Sequence, residues 1–356
     1  MPTLSYKCPS CGAPLTYKPG IEKSSCDYCG SAFTIEELEA YNSKFNDEKV
    51  VEEVSQGEHV HHDHAEEIYN GYHCQSCGAE VVTDTTTSAT FCYYCHNPVI
   101  VTERLKGEFK PDKIIPFTVD REKALSIFQS WVKNKRYVPN NFKSQAQMEK
   151  LTGMYLPYWI ADGSADVSIE GTGEKSGNSW TKGDTKFTEV TTFSFARKGE
   201  IEVDNISELA FTKIDNELIN SVTPYSEKEI KAFSPIYLSG FFAETYDRNK
   251  EDVASQISRR IEEYTDRVIE NTTGKYGTTK FTEKNINYQI KSWYYGLYPA
   301  WVMTYHYKGK TYVYAINGQT GKTFGELPVD NGKVAITSGI TAAIVAALGM
   351  LVGWFL

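Results

Sequence analysis

No cysteine follows Cys95 in this chain of 356 residues, and the only histidine beyond His96 is His306. That scarcity excludes a disulfide framework and a Cys/His catalytic pair from the long C-terminal part. The N-terminus, Met1-Pro-Thr-Leu-Ser-Tyr-Lys-Cys8, lacks an apolar run after a basic one. A secretory leader is therefore not expected, and the N-terminal part is placed in the cytosol, a reducing compartment. No phosphate-binding loop is present either. Gly318-Gln-Thr-Gly321-Lys322-Thr323 mimics its end, but the first glycine of G-x-x-x-x-G-K-[ST] would fall on Ile316, and Phe324-Gly-Glu-Leu-Pro328 is poor helix material, so a turn is expected. Basic faces are also wanting: residues 36 to 67 hold eleven acids against Lys44 and Lys49, which equals the whole net charge of −9. A nucleic-acid partner normally meets a basic surface, so this balance argues against one.

What the chain does have is cysteine in an ordered pattern. Cys8-Pro-Ser-Cys11 is followed after fourteen residues by Cys26-Asp-Tyr-Cys29, and Cys74-Gln-Ser-Cys77 after fourteen by Cys92-Tyr-Tyr-Cys95. Each C-x-x-C forms a tight knuckle with both sulfurs on one side, and the excursion is long enough for a hairpin that returns the second knuckle to the first. Gly12, Gly30 and Gly78 sit directly after a knuckle, where a positive φ is needed, and His96 takes that place in the fourth. Thiolates in a reducing compartment favour metal over disulfides. Two tetrahedral four-thiolate Zn²⁺ sites follow, ligated by Cys8, Cys11, Cys26 and Cys29 and by Cys74, Cys77, Cys92 and Cys95. Four thiolates close the coordination shell, so both ions are expected to be structural. The ribbons are placed at residues 1–36 and 71–110.

Between them, residues 37–70 form an acidic, helix-prone linker carrying His59, His61, His62 and His64 in the run HVHHDH. Imidazoles at this density can chelate a transition metal, but no second element is positioned to complete a site, and a solvated linker is the simpler expectation. His73 and His96 are expected to be packing or surface residues, since four thiolates already satisfy each ion.

Residues 111–330 alternate helix and strand signals, and the content of Tyr, Phe and Trp points to a β-rich core. Residues 120–135 place Ala124, Leu125, Phe128, Trp131 and Val132 on one helical face behind an N-cap at Asp120. Residues 251–270 do the same with Val253, Ile257, Ile261, Tyr264 and Val268. Strands are expected at 155–170, 187–197, 288–295, 301–307 and 311–317, the last two joined by a hairpin at Lys308-Gly309-Lys310. Leu156-Pro-Tyr-Trp159 and Leu297-Tyr-Pro-Ala-Trp301 echo each other, each after a helix. The expectation is an α+β domain with an antiparallel sheet, in which an internal duplication is suggested. No pair of acids stands out as acid and base, and His306 reads as a half-buried strand residue, so a non-enzyme is expected.

Residues 334–356 carry no charge, and as a helix they would run about 34 Å, enough for the hydrocarbon core of a bilayer. A single-pass anchor in the cell membrane is expected, with Lys333 and the ribbons on the cytoplasmic side. Ser338, Ala342, Ala346, Gly349 and Gly353 form a small-residue stripe, and Gly349 and Gly353 suit helix pairing.

With the two ribbons, Ile115-Pro-Phe117, Leu156-Pro-Tyr-Trp159, Asn317-Gly-Gln-Thr-Gly321 and the terminal span, the chain resembles the tandem zinc-ribbon membrane proteins of Gram-positive bacteria, sometimes labelled "TFIIB-type zinc ribbon-containing". The resemblance covers essentially the whole length, and its ribbon motif is the sharpest part. It implies a membrane-bound adaptor that works with phage-shock protein A and a flotillin-like cytosolic partner in envelope stress. The helicase name attached to some such proteins finds no motor lobes here. The leading expectation is a membrane-anchored, non-enzymatic scaffold whose ribbons recruit cytosolic partners. The alternative is a membrane-tethered ribbon protein linked to nucleic acid, transcription or replication.

Overall fold

The computed structural model describes residues 3–49 and 69–355. The linker histidines His59, His61, His62 and His64 lie outside the described residues.

The first ribbon contains β1 (Thr3–Leu4), then β2 (Thr16–Lys18), β3 (Lys23–Ser25) and β4 (Ala32–Phe33), which pair in that order. Helix α1 (Ile35–Lys49) leaves it through a capping box: Glu37 N–H donates to Thr34 Oγ1 and Thr34 N–H to Glu37 Oε2. The second ribbon has the hairpin β5 (Tyr69–His73) with β6 (Glu80–Asp84), then β7 (Thr87–Phe91) and β8 (Pro98–Val101). Strands β7 and β8 do not stay within the ribbon. They join an 11-stranded sheet shared with the central domain, and β1 pairs with β8 at its edge.

That sheet is built from β9 (Lys113–Ile114), α2 (Arg121–Lys133), the short α3 (Gln145–Met148), and the long hairpin of β10 (Thr152–Lys182) and β11 (Thr185–Leu209). After α4 (Asn216–Ser221) and β12 (Lys231–Ala232) the same order recurs: β13 (Phe242–Glu244), α5 (Lys250–Thr273), then the hairpin of β14 (Thr278–Tyr307) and β15 (Lys310–Asn317), with β16 (Thr323–Gly325) added at the end. The halves exchange their short strands. β9 of the first half runs parallel to β14 of the second at Lys113–Gly296 and Ile114–Leu297, while β13 of the second runs parallel to β10 of the first at Met154–Phe242 and Tyr155–Ala243. Between them β10 and β14 pair antiparallel, setting Leu156 opposite Tyr298 and so bringing the two echoing segments side by side.

The sheet is thus mixed, not antiparallel as expected. A parallel neighbour needs a crossover through a helix, and strand periodicity within one segment carries no trace of which strand it meets. The strands also run further than their apolar alternation: residues 288–295 and 301–307 belong to one strand, and β10 and β11 extend to the turn at residues 183–184. Past Glu174, the last β10 residue opposite β14, these two strands stand alone and exposed on both faces. With no buried face, alternation has nothing to record.

Helix α2 buries Ala124, Phe128 and Val132 and is capped by Asp120, whose Oδ1 accepts from Lys123 N–H at 2.7 Å. Helix α5 packs along β10, β11 and β14, but its buried row is Val253, Ile257, Ile261, Thr265, Ile269 and Thr273. Tyr264 is exposed and Val268 half-buried. An unbroken i, i+4 ridge runs obliquely round a helix, and here it follows the long twisted strands past the expected stripe. At the core's centre Phe117 stacks on Phe241 at 4.2 Å and meets Trp301 edge-on at 5.3 Å.

Residues 318–322 form a turn between β15 and β16, as expected. Asn317 Nδ2 donates to the carbonyl of Val222 at 3.0 Å, and Gln319 exchanges two hydrogen bonds with the Ser226 backbone. The motif therefore clamps the loop after α4. His306 is exposed, not half-buried, and its Nδ1 lies 2.8 Å from Thr311 Oγ1 across the hairpin.

Helix α6 (Asn331–Phe355) starts three residues before the uncharged run, with Asp330 Oδ1 accepting from Gly332 N–H at 3.0 Å. Among the described residues it is the one helix long and apolar enough to cross a membrane, and none of Asn331–Met350 is buried.

Candidate metal centres

The four knuckles share one backbone design. In each, the first cysteine's N–H donates to the carbonyl of the residue five positions on: Cys8 to Ala13, Cys26 to Ser31, Cys74 to Ala79 and Cys92 to Asn97, at 2.7 to 2.9 Å. The first cysteine's carbonyl then accepts from Gly12, Gly30, Gly78 or His96. This closure forces the accepting loop through the left-handed region, with φ of 75°, 74° and 76° at the glycines and 57° at His96.

The closure turns the sulfurs inward. Cys8 and Cys29 sulfurs lie 3.6 Å apart and those of Cys11 and Cys26 3.5 Å; in the second ribbon Cys74–Cys95 and Cys77–Cys92 are each 3.7 Å. All four sulfurs of each group lie within 4.8 Å of one another. A tetrahedral ion with metal–sulfur bonds of about 2.3 Å spaces its ligands about 3.8 Å apart, so the donor sets fit such an ion. His73 and His96 are exposed and belong to neither group.

Electrostatics point the same way. Cys29 is drawn down to about 6, first by its hydrogen bond with the Ser31 hydroxyl and then by the Ser31 backbone, whereas Cys11, although the Ala13 N–H favours its thiolate, is pushed up to about 12 by desolvation and the other three sulfurs. In the second group burial opposes ionisation of Cys92, but the Cys95 and Tyr94 N–H groups bring it to about 7. Burial and the neighbouring sulfurs push Cys95 up to about 12. Four adjacent thiols cannot all ionise by themselves, and a divalent cation removes that conflict.

The cysteines are legible from spacing; the way the ribbons sit is not. Tyr17 N–H donates to the Ser239 carbonyl at 2.8 Å, Ser239 Oγ donates to the Leu15 carbonyl at 2.5 Å, and Tyr17 packs edge-on against Tyr237 at 5.2 Å. Leu15, Tyr17, Cys8 and Cys26 belong to the same apolar core as Phe117 and Trp301. The second ribbon is held by Thr86 Oγ1 donating to Glu244 Oε2 at 2.7 Å and by a Lys213–Asp84 ion pair at 2.5 Å. Each ribbon's second knuckle leaves tyrosine outside: Tyr28 is 86% exposed, Tyr93 68% and Tyr94 73%. Sequence reasoning passed over these residues, whose only signal is an aromatic inside a C-x-x-C.

No family model matches the chain, and no solved structure matches it. The chain is 31% identical over 351 residues to the uncharacterized protein YdjG of Bacillus subtilis (strain 168), a match that spans 98% of this chain and 97% of the relative.

Proposed function

The chain belongs to the same family as YdjG, and we propose that it is a non-enzymatic scaffold held at the cell membrane by α6, with two structural Zn²⁺ ions and its folded body in the cytoplasm. The observation that carries this reading is α6 itself, none of whose residues Asn331–Met350 is buried while α2 and α5 bury their apolar rows. Uncovered apolar surface of that length is costly in water and at home in a bilayer.

The closed four-sulfur sets support a structural role for zinc, because no coordination position is left for water or substrate. Since the ribbons share the core of the central domain, partners would meet a composite surface with Tyr28, Tyr93 and Tyr94 at its knuckles rather than two mobile fingers. Cytosolic proteins of an envelope-stress system are the partners proposed.

The test is mass spectrometry of what co-purifies with N-terminally tagged full-length protein from detergent-solubilised membranes, beside a Cys8→Ser/Cys26→Ser variant. The scaffold reading expects specific proteins with the intact chain and their loss from the variant, which itself stays in the membrane fraction. Unchanged partners in the variant would remove the ribbons from recruitment. Nucleic acid with polymerase or replication proteins would replace the reading altogether.

A further inference from the structure

Residues 133–143 are far from α6 in sequence, but Tyr137, Val138 and Asn140 among them contact its start. Asp330 N–H donates to the Tyr137 carbonyl at 2.7 Å, and Lys333 Nζ donates to the Val138 carbonyl at 2.7 Å and to Asn140 Oδ1 at 2.6 Å. The loop is fixed from the other side by Phe142, edge-on to Tyr305 at 4.9 Å, and by Tyr305 Oη, which donates to Asn141 Oδ1 at 2.6 Å. It is thus a collar held from two sides at the point where α6 leaves the body.

The collar carries cations and no acid. Between Glu122 and Glu149 there is no acidic residue, although the chain carries a net charge of −9. Lys133, Lys135 and Arg136 are exposed, Lys143 Nζ donates to the Lys135 carbonyl at 2.9 Å, and Tyr137 is 41% exposed. The acids of the preceding segment are engaged: Asp330 caps α6, and Glu326 pairs with Lys310 at 2.7 Å. Lysine and arginine beside tyrosine at the end of a spanning helix is the chemistry of a membrane interface, where cations meet phosphate and carboxylate headgroups and the aromatic ring sits at their level.

We propose that this collar is a docking surface for the anionic phospholipid headgroups of the leaflet that α6 enters, so that the body is seated on the membrane rather than swinging from it. The proposal rests on the anchoring by α6 and adds a second, electrostatic contact. Its cations come from a segment almost two hundred residues before the helix, which is why the flanking sequence of α6, with Lys333 alone, gives no sign of it.

The experiment places full-length protein in nanodiscs of phosphatidylcholine alone or mixed with phosphatidylglycerol. Lysine acylation is then read by mass spectrometry at Lys133 and Lys135, with exposed Lys175, Lys182 and Lys186 of the β10–β11 hairpin as internal references. The collar lysines should be acylated several-fold more slowly in the phosphatidylglycerol discs, high salt should abolish the difference, and Lys135→Gln/Arg136→Gln should reduce the protection left at Lys133. Equal acylation in both lipids would overturn the collar while leaving the anchor standing, since the protein is in the discs. Failure to enter discs of either composition would overturn both. Protection by added DNA but not by phosphatidylglycerol would reassign the surface to nucleic acid.

Discussion

Trp159 and Trp301 are the same residue of a repeated design: each indole Nε1–H donates over 2.9 Å to the carbonyl just ahead of a helix N-cap, Arg248 before Asn249 for Trp159 and Val119 before Asp120 for Trp301. The helix reached is in each case the other half's. Around them the match continues, with Ala210 N–H donating to the Pro157 carbonyl at 2.9 Å and Gly318 N–H to the Pro299 carbonyl at 2.8 Å. Tyr246 packs on Trp159 at 4.9 Å where Phe117 packs on Trp301 at 5.3 Å. Exchange of short strands and indole contacts makes neither half complete without the other.

The two tryptophans are not equally buried: the Trp301 bond is enclosed, and that of Trp159 is partly open to water. Trp301→Phe leaves the Val119 carbonyl without a partner in the core, which costs about 1 to 3 kcal/mol. Trp159→Phe should cost less, because water can reach Arg248. Chemical denaturation of the two variants measures this, and an equal or reversed order would contradict the assignment.

Glu208 has a side chain only 3% exposed and pairs with Arg260 of α5 at 2.6 Å, while Asn216 Nδ2 donates to its other oxygen at 3.0 Å. Removing one member of such a pair strands the other. Arg260→Ala is expected to destabilise by about 3 kcal/mol or more, and adding Glu208→Gln should recover part of it. A thermal-shift comparison decides; a double variant worse than the sum of its singles would show that the two residues do not act as a pair.

At Gly318 a Cβ would stand 2.6 Å from a Phe117 ring carbon and 2.8 Å from Pro299 Cβ, so Gly318→Ala must push apart the turn and the core, at about 1 to 3 kcal/mol. Gly199 has nothing within 4 Å of a built Cβ, and Gly199→Ala serves as the control expected to be neutral or slightly stabilising. Equal unfolding midpoints for both would show that the close approach at Gly318 is not real.

Glu244 lies between the second ribbon and β10, and burial first of all raises its pKa above the ordinary value, against the hydrogen bond from Thr86. A carboxyl whose folded pKa is raised adds stability fully below its unfolded pKa, about 4.3, and loses it as pH rises through the folded value. At neutral pH the ionised group is therefore a burden. Glu244→Gln should raise the melting temperature at pH 7, with the gain shrinking as pH falls toward the unfolded pKa. A gain that grows on acidification would carry the wrong sign.

What sequence could and could not reveal follows from distance along the chain. Knuckle chemistry is local: Cys8 and Cys11 and the turn at Gly12 lie within five residues, and the four equal knuckles repeat one another. The Asp120 cap and the Lys308-Gly309 hairpin, with φ of 50° and 79°, are local too. By contrast Lys113 meets Gly296, and Tyr17 meets Ser239, through backbone contacts that no spacing or alternation encodes. The same holds for Tyr137 against Asp330, 193 residues apart in the chain.

A membrane-held body with two zinc ions is tested by the zinc content, read by inductively coupled plasma mass spectrometry, of full-length protein extracted with detergent from carbonate-washed membranes. The protein should remain in the washed membranes and carry two zinc ions per chain, one for each four-cysteine group, falling to one in Cys92→Ser. Protein released by the wash, or protein retained without zinc, would contradict it.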